Sequence, residues 1–167
     1  LGAISATTQD TYLIYTPSNQ SGVAAGRFYI SNAADYRTYN SLQFATEEAI
    51  ADPLRGCASI NRDLWLVGSK STGIWYDSGA TVPFDRRTFI QKGTSATDSI
   101  STFDGMIAFL GDSENGRLGV FAGGVQSAYT LTEITTEDVA YAINRYPVVS
   151  DAYSFFYNEA GSTILQM

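Results

Sequence analysis

The chain has 167 residues, enough for one domain with a substantial core and too few to argue for two. Only 16% of the residues are charged, against 44% hydrophobic and 13% aromatic, a balance that suits stacked sheets with large packed faces, some of them covered by other subunits. With 10 basic and 17 acidic residues, a formal charge of −7 and no histidine, the composition argues against a reader of nucleic acid and excludes Ser-His-Asp and Cys-His catalysis and every histidine-based metal site.

Short runs of β-branched and aromatic residues, bounded by Gly, Asn, Asp and Ser, predict strands at 11–16, 26–31, 41–45, 56–60, 63–67, 73–77, 87–91, 105–110, 117–122, 126–131, 152–157 and 162–167. Residues 46–51 read as a turn or two ended by Asp52-Pro53, and Gly123-Gly124 reads as a hairpin turn between two strands. One helix is predicted over 136–145. Val139, Ala142, Ile143 and Tyr146 fall on one of its faces, Thr135 to Asp138 resembles a capping box, and Pro147 stops it.

The strands repeat. Leu64-Trp65-Leu66-Val67-Gly68 followed by Gly73-Ile74-Trp75 matches Ile107-Ala108-Phe109-Leu110-Gly111 followed by Gly119-Val120-Phe121, and Gly68 and Gly111 are 43 residues apart. Looser copies run from Tyr12 to Tyr15 with Arg27 to Ile30, and from Ala152 to Tyr157 with Thr163 to Leu165. Units of about 40 to 50 residues with four short strands are the signature of propeller blades. The expected fold is therefore all-β, a β-propeller of which about three to four blades are present, with one short helix near 136–145. A blade needs a neighbour on each flank, so so few blades are expected to continue in further residues or another chain. The chain starts at Leu1 and stops at Met167 inside a predicted strand, and 1–167 is expected to be part of a single propeller domain of a longer chain. A β-sandwich with evenly spaced strands is the competing reading.

Candidate chemistry is sparse. Cys57 is the only cysteine, so no intrachain disulfide or C-x-x-C zinc site can form. No apolar run of about 18 residues or secretory-type leader is read, and no membrane span is expected. No phosphate-binding glycine loop occurs. Asp112 and Glu114 lie in a loop whose alternating oxygens suit calcium, but the EF-hand spacing is absent and a plain hairpin turn is preferred. Paired carboxylates of a glycosidase are the one catalytic option this composition retains, and the Ser-x-Asp-x-Gly-x-Thr-Trp box of sialidase-like propellers is missing. Arg86, Arg87 and Lys92 form the densest basic cluster, with Phe84 and Phe89 nearby. A phosphate clamp is weighed there against an alternating, half-buried strand, and the strand is preferred. Trp65 and Trp75 are read as facing one another across a hairpin, as a core pair in preference to a ligand platform. No catalytic, cofactor or metal residue is assigned, and no interaction residue is named.

The series Leu64 to Gly68, Gly73 to Tyr76, Pro83-Phe84-Asp85-Arg86, Phe89 to Gly93, Phe103-Asp104-Gly105, Phe109 to Gly111, the helix from Ile134 to Tyr146 and the hairpin around Asn158 to Gly161 resembles, in order and spacing, the packaged-DNA stabilisation or tail hub (nozzle) proteins of P22-like short-tailed phages. The likeness is good over 61–167 and loose over 1–60. Gly73 stands where the family carries a longer polar residue, and Thr94 where a cysteine is frequent.

The resemblance implies a propeller assembled as a homo-oligomer, with six in the full ring, below the portal and adaptor proteins. Such a ring retains packaged DNA, forms the ejection channel, and carries the tail needle or plug and the tailspikes or fibres. It implies a structural protein of the virion assembled in the host cytoplasm, with no enzyme activity and no cofactor, through which DNA passes without specific binding. If acidic side chains line the conduit, they repel DNA from its wall. The alternatives are a carbohydrate-binding or glycan-hydrolysing propeller and a protein-interaction scaffold.

Overall fold

A computed structural model describes residues 2–18, 25–40, 42–47, 50, 52–112 and 116–167. The chain divides into two compact units, Leu1–Gln91 and Lys92–Met167.

The first unit holds two four-stranded sheets. Strands β1 (Ala3–Gln9), β2 (Tyr12–Pro17), β3 (Arg27–Ile30) and β4 (Phe44–Thr46) pair in chain order, and β5 (Leu54–Ile60), β6 (Asp63–Gly68), β7 (Thr72–Asp77) and β8 (Phe84–Ile90) do the same. Every pairing is antiparallel. The two sheets stack face to face through Ile14, Phe28 and Ile30 of the first and Leu54, Cys57, Leu64, Leu66, Trp75 and Phe84 of the second. Their first strands run side by side, where the Ser59 N–H donates to Thr7 Oγ1 at 3.1 Å and Gln9 Nε2 donates to the Arg62 carbonyl at 2.7 Å. All six residues of β6 are buried, so this strand is covered on both faces, as its continuous apolar run demands.

The second unit holds β9 (Ser101–Phe103), β10 (Met106–Asp112), β11 (Leu118–Gly124) and β12 (Leu131–Glu133) in the same consecutive order, then a two-stranded sheet of β13 (Phe155–Glu159) and β14 (Ser162–Gln166). Phe103 of β9 meets Phe156 of β13 with ring centroids 5.7 Å apart. The buried Ser154 hydroxyl donates to the Ser99 carbonyl at 2.6 Å. Thus β13 stands beside β9 as β5 stands beside β1.

Local geometry carries the repeat. The first hairpins of the second, third and fourth sheets turn on Asn61-Arg62, Asp104-Gly105 and Ala160-Gly161, each with both φ values positive. That is the two-residue turn whose hand matches strand twist. Asn61 and Asp104 are separated by the same 43 residues as Gly68 and Gly111. Consecutive four-stranded meanders stacked face to face are blades, and the two-layer sandwich reading falls with them.

Several sequence expectations are corrected. The strand placed at 126–131 is a 3-10 turn over Val125–Ser127, and the fourth strand of that sheet comes later, at Leu131–Glu133. Gly123 and Gly124 do not turn: they end β11, paired with Ile107 and Met106. A Cβ at either would run into backbone, the Thr130 carbonyl and the Gly105 carbonyl respectively, so these glycines serve close chain approach. The hairpin at Ala152 to Leu165, read as a looser copy of the Leu64–Trp75 hairpin, corresponds instead to the first two strands of a sheet, by its Ala160-Gly161 turn and the place of β13 beside β9. Strands 41–45, 87–91 and 152–157 are shifted to Phe44–Thr46, Phe84–Ile90 and Phe155–Glu159. Within 46–51, Glu48, Ala49 and Ala51 lie outside the described residues, as does Ser41.

The helix α1 (Glu137–Ile143) is shorter than expected. Its N-cap is Thr136 without a side-chain cap bond, because the Thr135 hydroxyl instead accepts from the Val120 N–H. Ala140 is its buried residue, while Val139 and Tyr146 are exposed. The helix end is held by Asn144, whose amide accepts from the Leu118 N–H at 3.0 Å and donates to the Leu118 carbonyl at 2.9 Å. Of the expected stripe Ile143 does pack inward, against the Ala96, Leu110 and Val120 cluster, and the side-chain amide pairing with the free edge of β11 adds a second docking device. No helix among the described residues is long and apolar enough to cross a membrane.

Candidate interaction surfaces

The basic residues are already engaged by neighbouring groups. Arg86 reaches Glu47 at 3.0 Å, Arg87 reaches Asp63 at 3.3 Å and lies over the Tyr76 ring at 4.8 Å, and Lys92 lies 4.6 Å over the Phe121 ring and donates to the Asp112 carbonyl at 3.1 Å. A phosphate would have to compete with partners in place. The strand is not the simple alternation expected. A register shift between Ile74 and Trp75 leaves Arg87 bulged, Phe84 buried and Phe89 exposed.

Trp65 and Trp75 are both buried, as read, but they do not form a pair. Leu64 lies opposite Trp75 and Trp65 opposite Ile74, so the two indoles point to opposite faces of one sheet. Trp75 meets the edge of Phe28 at 5.1 Å and donates from Nε1 to Glu47 Oε2 at 2.6 Å. Glu47 is 1% exposed. Gly73 makes that seat available: a Cβ there would fall on the Glu47 carboxylate, which accounts for the small residue at this position. Asp52 is also buried and closes the β6–β7 hairpin, accepting from the Ser71 N–H at 3.1 Å, the Ser71 hydroxyl at 3.1 Å and the Lys70 N–H. Sequence reasoning missed both acids. The one signal was Asp52-Pro53, taken as a simple helix stop.

Cys57 is buried, and loss of hydration pushes its thiol up to about 11, so it is an inert core group. Asp112 is exposed at the end of β10, while Glu114 lies outside the described residues. No group of three or more Cys, Asp or Glu able to hold a metal occurs among the described residues.

The strands that lie side by side, β1 with β5 and β9 with β13, carry only Arg55 and Glu159 as charges. The acids sit instead in turns, outer strands and the helix, as with Asp77, Asp85, Asp104, Glu137 and Asp138. An acid-lined edge is therefore not what these strands offer. Their hydroxyls and amides are neutral.

Two aromatic faces stand apart. On the first sheet, away from its core, Tyr15, Tyr29 and Phe44 lie opposite one another across β2, β3 and β4. Tyr15 and Tyr29 stack at 5.2 Å and 15°, Tyr39 meets Tyr15 edge-on at 5.2 Å, and the Arg27 guanidinium sits 4.1 Å over Phe44. Burial and the neighbouring phenols raise the pKa of Tyr15, and burial raises that of Tyr39. In the second unit Tyr153, Phe155 and Tyr157 form a row along one face, with centroids 5.5 and 5.8 Å apart. Sequence reasoning named neither face. The signal was there in 12–17 and 27–30, where apolar residues occupy both alternating positions.

A family model described as Bacteriophage P22 Gp10, beta-propeller, matches residues 4–160. The match includes most of 1–60, where the sequence pattern is loosest. No curated protein matches the chain. Among solved structures, one titled Kluyveromyces lactis Hsv2 complete loop 6CD is similar at 11% identity and a TM-score of 0.41, over 96% of this chain and 52% of that one, so the chain spans about half that structure's length. A likeness so loose carries no argument.

Proposed function

Because the chain belongs to the Bacteriophage P22 Gp10 beta-propeller family of phage structural proteins, we propose that it is part of the tail hub, or nozzle, of a short-tailed phage. In this reading it forms a homo-oligomeric ring beneath the portal and adaptor that retains packaged DNA and forms the ejection channel. The observation that carries the reading is the family match over nearly the whole chain, on a series of blade-type sheets. The protein works mechanically and not as an enzyme, docks the needle or plug and the tailspikes or fibres, and joins the virion during assembly in the host cytoplasm.

Net charge sets how the chain meets DNA: 17 acidic against 10 basic residues repel phosphate on balance, and Arg86 and Arg87 are already paired with Glu47 and Asp63. The purified protein should accordingly show negligible binding to duplex DNA at physiological salt. Measured by fluorescence anisotropy, tight binding that weakens steeply with salt would contradict this.

The ring reading is tested in the phage that encodes the chain. Particles assembled without the protein should package DNA and then lose it, leaving empty heads without tails in electron micrographs. DNA-filled, infectious particles lacking it would overturn the proposal.

A further inference from the structure

In each four-stranded sheet a loop joins the third strand to the fourth, and one of these loops is out of proportion. Between β7 and β8 the chain uses six residues, 78–83, and between β11 and β12 another six, 125–130, none of them charged. Between β3 and β4 it uses thirteen, 31–43. Hairpin connections rarely need more than about five residues, so the surplus is not there to turn the chain. Its middle, 33–40, reads Asn-Ala-Asp-Tyr-Arg-Thr-Tyr-Asn and is exposed throughout.

Length without order would make a tether, but this loop is fastened by its own groups. The Asn32 N–H donates to the Thr38 carbonyl and the Arg37 N–H to Asp35 Oδ1, both at 3.0 Å. The Thr38 hydroxyl donates to Asp35 Oδ2, and these bonds, that of Thr38 foremost, hold the Asp35 carboxyl below the usual carboxylate range. The Ala34 N–H donates to the Thr11 carbonyl at 2.8 Å, with Ala34 at φ 56°, a left-handed conformation disfavoured for a residue with a Cβ. That bond carries the loop back over the strand ends to the turn between β1 and β2. Blades stack by their faces, so whatever covers a face of this sheet leaves its strand ends open.

Tyr39 is committed edge-on to Tyr15, so what the fastened loop presents is Tyr36, 47% exposed, beside Arg37. The Asp35 carboxylate is occupied inside the loop, and the Arg37 guanidinium makes no ion pair among the described residues. Tyr and Arg are enriched at the energetic centres of protein interfaces, and fixing them beforehand removes part of the ordering cost of association. Small ligands and sugars take concave sites. Eight exposed residues in succession make a projection instead, which enters a recess of its partner. The unopposed cation calls for a carboxylate in that recess. A second copy is a poor match, since no three of its described acids cluster.

We propose that the loop between β3 and β4 docks a different protein of the virion, with Tyr36 seated in a recess of that partner and Arg37 paired with an aspartate or glutamate there. The inference deepens the docking role in the proposed function and rests on that reading, but not on the ring.

A photoreactive residue at the loop tip tests this in the phage that encodes the chain. With p-benzoylphenylalanine in place of Tyr36, irradiation of purified particles should join the chain to a second virion protein at a peptide containing Asp or Glu. The same residue in place of the exposed Thr81, in the short loop between β7 and β8, should not. Arg37→Glu should lower infectivity by about tenfold or more, with urea unfolding of the purified chain unchanged because the guanidinium has no ion pair to lose. An acid-to-base substitution in the cross-linked peptide should restore infectivity. A cross-link only to another copy of the chain, or none beyond the Thr81 control, would overturn the inference, as would full infectivity of Arg37→Glu. Arg37→Glu particles of normal composition that fail to bind host cells would assign the loop to a surface glycan and overturn it too. All of these results leave the ring standing, whereas particles that contain no copy of the chain would count against both.

Discussion

Phe28→Ala should destabilise the first unit by about 3–5 kcal/mol, the range for emptying a fully buried aromatic site. Phe28 is 0% exposed, sits on the inner face of β3, and meets the indole of Trp75 edge-on at 5.1 Å. Removing the ring leaves a void that the neighbouring Ile14, Leu64 and Leu66 cannot close without moving strands held in register on both sides. The loss would take up a large fraction of the 5–15 kcal/mol typical of a domain. Urea unfolding followed by tryptophan fluorescence reads it, because Trp75 reports directly on the contact. Tyr29→Ala supplies the contrast. It lies one residue along the same strand and points to the half-buried face, so in the monomer it should cost about 1 kcal/mol. Equal losses at 28 and 29 would mean that the first sheet has no distinct inner face.

That difference between adjacent residues was only partly legible in the sequence. The repeat at Gly68 and Gly111 was readable because the runs 64–67 and 107–110 are continuously apolar, which is what a strand covered on both faces requires. The short edge strands were not. Leu131–Glu133 and Ser101–Phe103 contribute three residues each, too few for any periodicity to show, and their place is fixed by partners distant in the chain. The helix was found, but its apolar stripe was half right: Ile143 packs on the core while Val139 and Tyr146 lie outside, and the backbone-mimicking amide of Asn144 shares the docking. The Trp pair failed on register alone, since a shift of one residue sends a side chain to the other face. For the surfaces, sequence reasoning saw basic residues and aromatics as separate features. It had no means of knowing that Arg86 and Arg87 were committed to Glu47 and Asp63, which lie 39 and 24 positions away in the chain.

Glu47 is the sharper test of how the two sheets are tied. Its carboxylate accepts from Trp75 Nε1 at 2.6 Å with one oxygen and meets Arg86 at 3.0 Å with the other. The two bonds differ in kind. The Arg86 side chain is 40% exposed but the Glu47 side chain only 1%, so solvent screens the arginine's end of the pair while deleting it strands a buried carboxylate, at about 2–3 kcal/mol. The indole N–H is buried, and leaving it without an acceptor costs about 1–3 kcal/mol on top of the lost packing. Glu47→Ala should therefore destabilise by about 3 kcal/mol. Glu47→Gln should lose about 1 kcal/mol or less, because the amide oxygen still accepts from Trp75 and no charge is left buried, whereas Arg86→Ala should lose about 2–3 kcal/mol. Double-mutant cycles should find Glu47 coupled to both Trp75 and Arg86. If Glu47→Gln proves as damaging as Glu47→Ala, the ion pair and not the indole bond joins the sheets, and Gly73, which makes room for the carboxylate, would be preserving a charge in place of a hydrogen-bond acceptor.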